Sequence, residues 1–297
     1  YNFALGRDAL GSNTTGSVNV AIANAMQSNT TGESNVAIGS NALDDNTSGD
    51  NNVAVGRQAL GDNTTANNNT AVGYNALLKN TTGTSNTAVG SLALDAVTTG
   101  TDNTAVGHGA LTANTSDANV AVGHRALEAN TTGTQNTALG QRAGYQVTTG
   151  QYNSLHGWNA GGSITTGSNN TAVGNRALDA STTSNSNTAV GYSALSSACD
   201  AGNTAVGGLA LFTNTAANNT AVGYNAMYAN TTGTRNTAVG VNALDSVTTG
   251  GNNVALGYNA GASYATGGQS IFIGRDTGGA GGSADGGRLF HGGGRLY

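Results

Sequence analysis

Residues 86–100 read N-T-A-V-G-S-L-A-L-D-A-V-T-T-G, and variants of this segment fill most of the 297-residue chain. The Ala at the centre of the first triplet recurs at positions 4, 21, 37, 54, 71, 88, 105, 121, 138, 172, 189, 205, 221, 238 and 255. Leu155 and Phe272 take its place in two further copies, so seventeen copies follow one another at spacings of 16 or 17 residues. A short fixed period of this kind is the sequence signature of a solenoid.

The length of the period predicts an all-β fold. A repeat of 16–17 residues is shorter than the helical-hairpin repeats, but it suits one coil of two short strands and two turns. The T-A-V triplet is the first predicted strand, and the A-L pair, as in Ala76-Leu77, is the second. We therefore predict a parallel β-solenoid of about 17 coils of 16–17 residues over residues 1–274.

Side chains alternate between the two faces of a strand, so Thr87 and Val89 share one face and Ala88 takes the other. The third strand position is aliphatic in every copy except at His156, which favours this face as the interior of the coil. A nearly uniform Ala face then points outward and predicts close approach of another chain in a homotrimer. This predicted oligomer face comprises Ala71, Ala88, Ala105, Ala121 and Ala138. The alternative, in which Ala faces a narrow interior of its own coil, remains open.

The remaining repeat positions have turn chemistry. Glycines such as Gly73 and Gly90 allow a sharp corner after the strand at low steric cost. The N-T-T-G segment is typical of a second turn, in which Gly can take a positive φ. Stacking of identical coils would align Asn with Asn and Thr with Thr, so that each side-chain amide bonds its copy one coil away.

Composition and motifs argue against several functional classes. A net charge of −5 gives no electrostatic footprint for nucleic acid, and no apolar run is long enough for a transmembrane helix. Cys199 is the one cysteine, and we interpret it as a small apolar residue of the repeat. No nucleophile elbow, phosphate-binding loop or pair of metal-ligand histidines occurs, so we expect neither an enzyme nor a cofactor.

Two regions depart from the repeat and are candidates for binding. The first is an irregular coil with an aromatic cluster, Tyr145, Tyr152, His156 and Trp158, which could stack on sugars; a local packing defect is the alternative. The second is the Gly-rich segment 275–297, in which the period is lost. Because solenoids need caps on their open ends, this segment is predicted to be a cap or an assembly contact. The residues that carry this prediction are Arg288, Leu289, Phe290, Arg295, Leu296 and Tyr297.

The unit T-A-V-G-x-x-A-L resembles the head repeats of trimeric autotransporter adhesins, the YadA-like heads. It is also similar to N-T-A-V-G-Y-N-A-L…N-T-T-G arrays of bacterial surface proteins and phage tail-fibre proteins, a pattern that residues 219–240 carry with Met227 at the Leu position. The resemblance covers residues 1 to about 274. It implies a left-handed parallel β-roll, a homotrimer and a role in adhesion or host recognition. The head unit of that family is shorter, and the N-T-T-G turn is a departure from it.

These observations predict an extracellular structural or adhesive rod on a cell or virion surface. It would contact itself and a host surface glycan or protein, without catalysis, without nucleic acid and without insertion into a membrane. The first alternative is a subunit of an end-to-end extracellular filament. The second alternative is an ice-binding solenoid, suggested by the Thr-Thr pairs of the N-T-T-G turn.

Overall fold

The computed structural model of the chain describes residues 1–278 and the backbone of a strand at 288–291. These residues form strands and turns, and no helix occurs among them. The chain divides into two compact units, Tyr1–Tyr152 and Asn153–Tyr297. The strands of the first unit are β1 (Phe3–Leu5), β2 (Val20–Ile22), β3 (Val36–Ile38), β4 (Val53–Val55), β5 (Thr70–Val72), β6 (Thr87–Val89), β7 (Thr104–Val106), β8 (Val120–Val122) and β9 (Thr137–Leu139). Those of the second are β10 (Ser154–His156), β11 (Thr171–Val173), β12 (Thr188–Val190), β13 (Thr204–Val206), β14 (Thr220–Val222), β15 (Thr237–Val239), β16 (Val254–Leu256), β17 (Ser270–Ile273) and β18 (Arg288–His291).

Within each unit, every strand pairs in parallel with the equivalent strand of the next coil. The register places identical repeat positions side by side, as in Ala71 opposite Ala88 and Val72 opposite Val89. The exception is β18, which runs antiparallel to β17. The predicted fold is therefore confirmed as an all-β parallel β-solenoid of about 16–17 coils.

The second predicted strand is absent from the described coils, and its Ala-Leu pair lies in a turn. Ala76 and Leu77 are both fully buried, and Leu77 has a left-handed backbone with φ 54°. This conformation disfavours a side chain with a Cβ atom. It persists because the Leu77 side chain fills the interior, worth about 2 kcal/mol, while its N–H donates to Ala93 O of the next coil at 3.0 Å.

The predicted orientation of the strand was wrong. The five alanines assigned to an oligomer face, Ala71, Ala88, Ala105, Ala121 and Ala138, are completely buried within their own chain. The flanking strand residues point outward instead, and Val89 remains 37% exposed. The interior of a coil with a single three-residue strand is narrow, so it accepts Ala and excludes the larger Val. The alternative that placed Ala inside its own coil is the correct one, and these alanines are not available to another chain.

Two rows of asparagines share this interior with the alanines and leucines. The first Asn row precedes the strands and comprises, in the first unit, Asn19, Asn35, Asn52, Asn69, Asn86, Asn103, Asn119 and Asn136, all buried. In this row Oδ1 of Asn69 accepts the backbone N–H of Asn86 at 2.9 Å, and Nδ2 of Asn69 donates to Gly83 O at 2.9 Å. The second Asn row lies in the N-T-T-G turn, where Nδ2 of Asn80 donates to Oδ1 of Asn63 at 3.1 Å. The predicted stacking of Asn on Asn is confirmed.

The glycines of the two turns have different roles. Gly73, at the corner after β5, has φ 135°, a conformation essentially restricted to glycine, as predicted. A Cβ atom there would also lie 2.7 Å from Gly90 O of the next coil. Gly83 of the N-T-T-G turn is absent from the residues with positive φ, contrary to expectation. A Cβ atom on Gly83 would instead meet Oδ1 of Asn80 at 2.5 Å, so space rather than backbone conformation favours glycine.

The irregular coil of β10 is explained by an exchange of side-chain volume. Leu155 occupies the usual Ala position and is fully buried, while Gly161 occupies the usual Leu position with φ 60°. A Cβ atom on Gly161 would lie 2.7 Å from Cδ2 of Leu155. The larger residue on the strand therefore fills the space that the missing leucine leaves in the turn.

Candidate functional site

Two surfaces of the described residues could contact another molecule. The first is the strand face, defined as the outward first and third positions of β2–β9 in the first unit and β11–β16 in the second. These positions hold only Val, Ile, Leu and Thr, and none is charged. Val89, Val122 and Leu139 in the first unit and Val173, Val254 and Leu256 in the second are each exposed by more than a third.

Charged residues lie in the turns instead. The corner edge is defined as the residues between the corner glycine and the N-T-T-G turn. In the coils of β8 and β9 this edge holds Arg125, Glu128, Arg142 and Tyr145, which form a compact basic and aromatic cluster. Both arginines occupy the same repeat position, with φ 58°. Their backbone N–H groups donate to His108 O and His124 O of the preceding coils at 3.0 Å each. These hydrogen bonds fix the position of each arginine backbone relative to the preceding coil.

Both guanidinium groups make cation–π contacts with the aromatic ring of Tyr145. The Cζ atom of Arg142 lies 4.4 Å from the ring centroid, and that of Arg125 lies 5.0 Å from it. Arg125 also donates from Nε to Oε2 of Glu128 at 2.7 Å, and this hydrogen bond raises the pKa of the guanidinium. We name Arg125, Arg142 and Tyr145 the Arg–Tyr–Arg cluster.

Two histidines border the cluster. His108 and His124 are exposed on successive coils, and their ring centroids lie 5.5 Å apart with the rings 27° from parallel. Gly109 occupies the position that Arg125 takes one coil later, and a Cβ atom on Gly109 would come within 3.7 Å of Cγ of Arg125. Sequence analysis missed this cluster because it treated each residue separately. The available signal was the 17-residue register of Arg125 and Arg142, with Tyr145 three residues farther on.

The aromatic residues predicted to contact a ligand lie in different parts of the coil. Tyr145 belongs to the Arg–Tyr–Arg cluster. Tyr152 follows the next T-T-G turn and is exposed, with φ 58°. In the second unit, His156 ends β10, with Nε2 3.4 Å from Oγ of Ser154, and Trp158 follows the corner glycine with an exposed ring. A ligand contact at these four residues remains a prediction.

Only some of the C-terminal residues that were predicted to form a cap or assembly contact lie within the described part of the chain. Arg288, Leu289 and Phe290 lie in β18, whose backbone pairs antiparallel with β17 in the register Phe272 to Leu289. Arg295, Leu296 and Tyr297 lie outside the described residues. A role of this segment as a cap or assembly contact remains a prediction.

An acidic cleft lies on the corner edge of earlier coils in the first unit. It has a volume of about 100 Å³ and is lined by Asn41, Asp44, Asp45, Gln58, Gly61, Asp62 and Leu78. Burial and the neighbouring Asp45 raise the pKa of Asp62, whereas Lys79 opposes the rise. Across residues 1–278, no group of three or more His, Cys, Asp or Glu side chains is arranged to hold a metal ion.

Cys199 is buried in the second unit beside two serines that stand near the second Asn row. Its Sγ lies 3.7 Å from Oγ of Ser181, which in turn contacts Oγ of Ser184. Burial raises the pKa of the Cys199 thiol, so the thiolate form is disfavoured.

The chain was compared with family models, curated proteins and solved structures, and none of them matches it. Among the described segments, no helix has the length and apolar character required to cross a membrane.

Proposed function

We propose that the protein is an extracellular structural and adhesive solenoid that acts as a homotrimer on the surface of a cell or virion. Three copies associate through the strand face, and the turns remain free to contact a host glycan or protein. The chain performs no catalysis in this role. The resemblance to YadA-like heads supports three chains and an adhesive role.

The strand face carries this proposal. Water-facing strands usually carry charged residues, but these outward positions hold none. Each is Val, Ile or Thr, except for Leu139 and Leu256. Contiguous exposed apolar surface of this kind marks interaction sites. Association of the strand faces would remove half-exposed side chains such as Val89 and Val122 from water, which is favourable in proportion to the apolar area buried.

Sedimentation equilibrium of the full chain tests the proposal. We expect a mass of three chains, and the pair of changes Val89→Lys and Val122→Lys should shift the protein to monomer because lysine ammonium groups resist burial. The matched control is Thr99→Lys with Thr132→Lys, which places the same charges at exposed turn positions of the same two coils. Circular dichroism verifies that the variants are folded. A monomeric wild type, or a trimer that survives both valine changes, would refute the proposal.

A second candidate function is supported by one observation on the same face. In the second unit, β11–β15 are five successive T-A-V strands, so outward Thr and Val form two rows with a repeat of about 4.8 Å. A regular array of hydroxyl and methyl groups can order water, as ice-binding surfaces require. Sequence analysis attributed this activity to the turn threonines, but the strand threonines form the more regular array.

Thermal hysteresis distinguishes the two candidates. An ice-binding protein depresses the freezing point below the melting point, and Thr204→Leu with Thr220→Leu at the centre of the array should abolish the effect. A trimer that buries the strand face shows no hysteresis, and its assembly tolerates the two apolar replacements.

A further inference from the structure

The charges of the Arg–Tyr–Arg cluster are only half neutralised. Glu128 pairs with Arg125, and the described residues place no carboxylate within ion-pair distance of Arg142. Nε of Arg142 is also buried and has no hydrogen-bond partner. Arg142 is therefore a cation that its own chain holds by stacking on Tyr145 but does not neutralise.

Two guanidinium groups on one ring also repel each other. Both Cζ atoms lie within 5.0 Å of the Tyr145 centroid, so each cation experiences the field of the other at the protein surface. Glu128 offsets this repulsion on the Arg125 side alone. An anion bound between or beside the arginines would remove the remaining imbalance, and planar guanidinium groups bind carboxylate and sulfate oxygens through paired hydrogen bonds.

We propose that the Arg–Tyr–Arg cluster binds the anionic group, carboxylate or sulfate, of an acidic sugar chain. The proposal rests on the adhesive function above and names its ligand class. His108 and His124 lie on the same corner edge, where their stacked, exposed rings can contact a pyranose, and the exposed amides of Gln141 and Gln146 suit sugar hydroxyls.

A sugar chain fits better than a nucleic acid. The cluster contains two arginines in a chain with a net charge of −5, and a densely charged polyanion needs many such contacts. A sugar chain with widely spaced anionic groups needs only one well-formed contact. Few of its groups are charged, so the negative net charge of the protein repels the sugar chain only weakly.

The second unit provides a matched control for Arg142. Arg176 has the same repeat position and a similar backbone, with φ 55°. It differs in being neutralised, because its Nε donates to Oδ2 of Asp179 at 2.7 Å. Comparison of Arg142→Gln with Arg176→Gln therefore separates an unneutralised arginine from a neutralised one at the same place in the coil.

The experiment measures binding of the full chain to three immobilised polysaccharides at low and high salt: one with widely spaced uronate groups, one with widely spaced sulfate groups, and a neutral one. The wild type should bind one or both anionic polymers and not the neutral one. Arg142→Gln should weaken binding about tenfold or more, the loss typical of one charge-assisted contact. Arg142→Lys should be intermediate, and Arg176→Gln should bind within about twofold of the wild type.

Three results would overturn the inference: no binding to either anionic polymer, equal losses for the Arg142 and Arg176 variants, or tighter binding to double-stranded DNA than to the sugars. Sedimentation of the same samples separates this result from the proposed trimer, because Arg142 is not on the strand face. A trimeric wild type that binds neither anionic polymer contradicts only the ligand, whereas a monomeric wild type contradicts the assembly.

Discussion

The two Asn rows consist of the same residue type at the same depth, but only one of them is continuous. The first Asn row is unbroken from Asn19 to Asn136 in the first unit and from Asn153 to Asn253 in the second. The second Asn row is interrupted by buried Val97 and Val147 in the first unit and by buried Ile164, Ser181 and Val247 in the second. Where valine follows an asparagine, the asparagine one coil earlier retains a buried Oδ1 atom without a partner; these are Asn80, Asn130 and Asn230.

The hydrogen-bond partners explain this difference. A first-row asparagine satisfies two backbone groups, since Oδ1 of Asn86 accepts the N–H of Asn103 and Nδ2 of Asn86 donates to Gly100 O. A second-row asparagine donates to a carbonyl that the first row already satisfies, as when Asn80 and Asn69 both donate to Gly83 O. Replacement of a second-row residue by valine thus leaves a single side-chain oxygen unpaired, which costs about 1–3 kcal/mol, while burial of the valine offsets about 1.5 kcal/mol or more.

The largest expected effect is that of Asn69→Asp in the first row. The carboxylate cannot donate to Gly83 O, and it places an unpaired charge in the interior, so we expect a loss of about 3–5 kcal/mol at neutral pH. Burial should raise the pKa of this carboxyl above its unfolded value of about 3.9. The penalty is then small below that value and grows as the pH rises through the folded-state pKa. Urea unfolding at about pH 4 and pH 7 measures both terms.

The matched control is Asn80→Val in the second row. This change moves the unpaired oxygen from Asn80 to Asn63 and buries an apolar side chain, so stability should stay within about 1 kcal/mol of the wild type. The comparison between the rows fails if Asn80→Val is as costly at neutral pH as Asn69→Asp, or if the cost of Asn69→Asp does not change with pH.

The choice of which strand side chains face the interior illustrates what the sequence could and could not predict. The period, the parallel stacking, the Asn rows and the corner glycines all follow from repeat spacing and residue type, and each was predicted. The alternation of T-A-V shows that Ala88 and Val89 face opposite ways, but it does not state which side is narrow. Hydrophobicity favoured Val inside. The deciding quantity is the volume of a coil whose Ala-Leu pair turns inward in a left-handed conformation, and no local pattern records that volume.

The candidate site was predictable to a smaller extent. Tyr145 was selected because aromatic residues are rare in this chain, and a repeat alignment could have placed Arg125 and Arg142 in the same row. The sharing of one ring by two arginines depends on side-chain rotamers, which the repeat pattern does not record. Leu155 and Gly161 show a similar limit, since each substitution is unusual alone and their compensation becomes visible only when both meet in the interior.

A smaller effect is expected for Val97→Asn, which places an asparagine at an interrupted position of the second Asn row. Val97→Asn would supply an Nδ2 donor to Oδ1 of Asn80 and an additional donor to Gly100 O. Pairing of the orphaned oxygen should outweigh the lost burial of valine and stabilise the coil by about 1 kcal/mol. Amide hydrogen exchange in the neighbouring coils measures this local gain, because coils of a solenoid contact only their neighbours. Val97→Ala is the control, since it removes the same methyl groups without adding an amide and should speed exchange. Slower exchange in both variants, or in neither, would contradict the role of the unpaired oxygen.

The smallest expected effect comes from ionisable groups at the corner edge, because neither Asn row contains any. Burial raises the pKa of Asp62 and of Asp95 in the folded chain, so the folded state binds these protons more tightly than the unfolded state does. Their contribution to stability is therefore fully present below about pH 3.9 and is lost as the pH rises through the folded-state pKa values. Asp62→Asn with Asp95→Asn should flatten this shallow decline in urea midpoints, while leaving the value at low pH nearly unchanged. If the urea midpoint of the double variant falls with pH at the same slope as that of the wild type, groups other than Asp62 and Asp95 cause the decline. A steep decline in the wild type would contradict the view that neutral amides, rather than charges, hold the interior together.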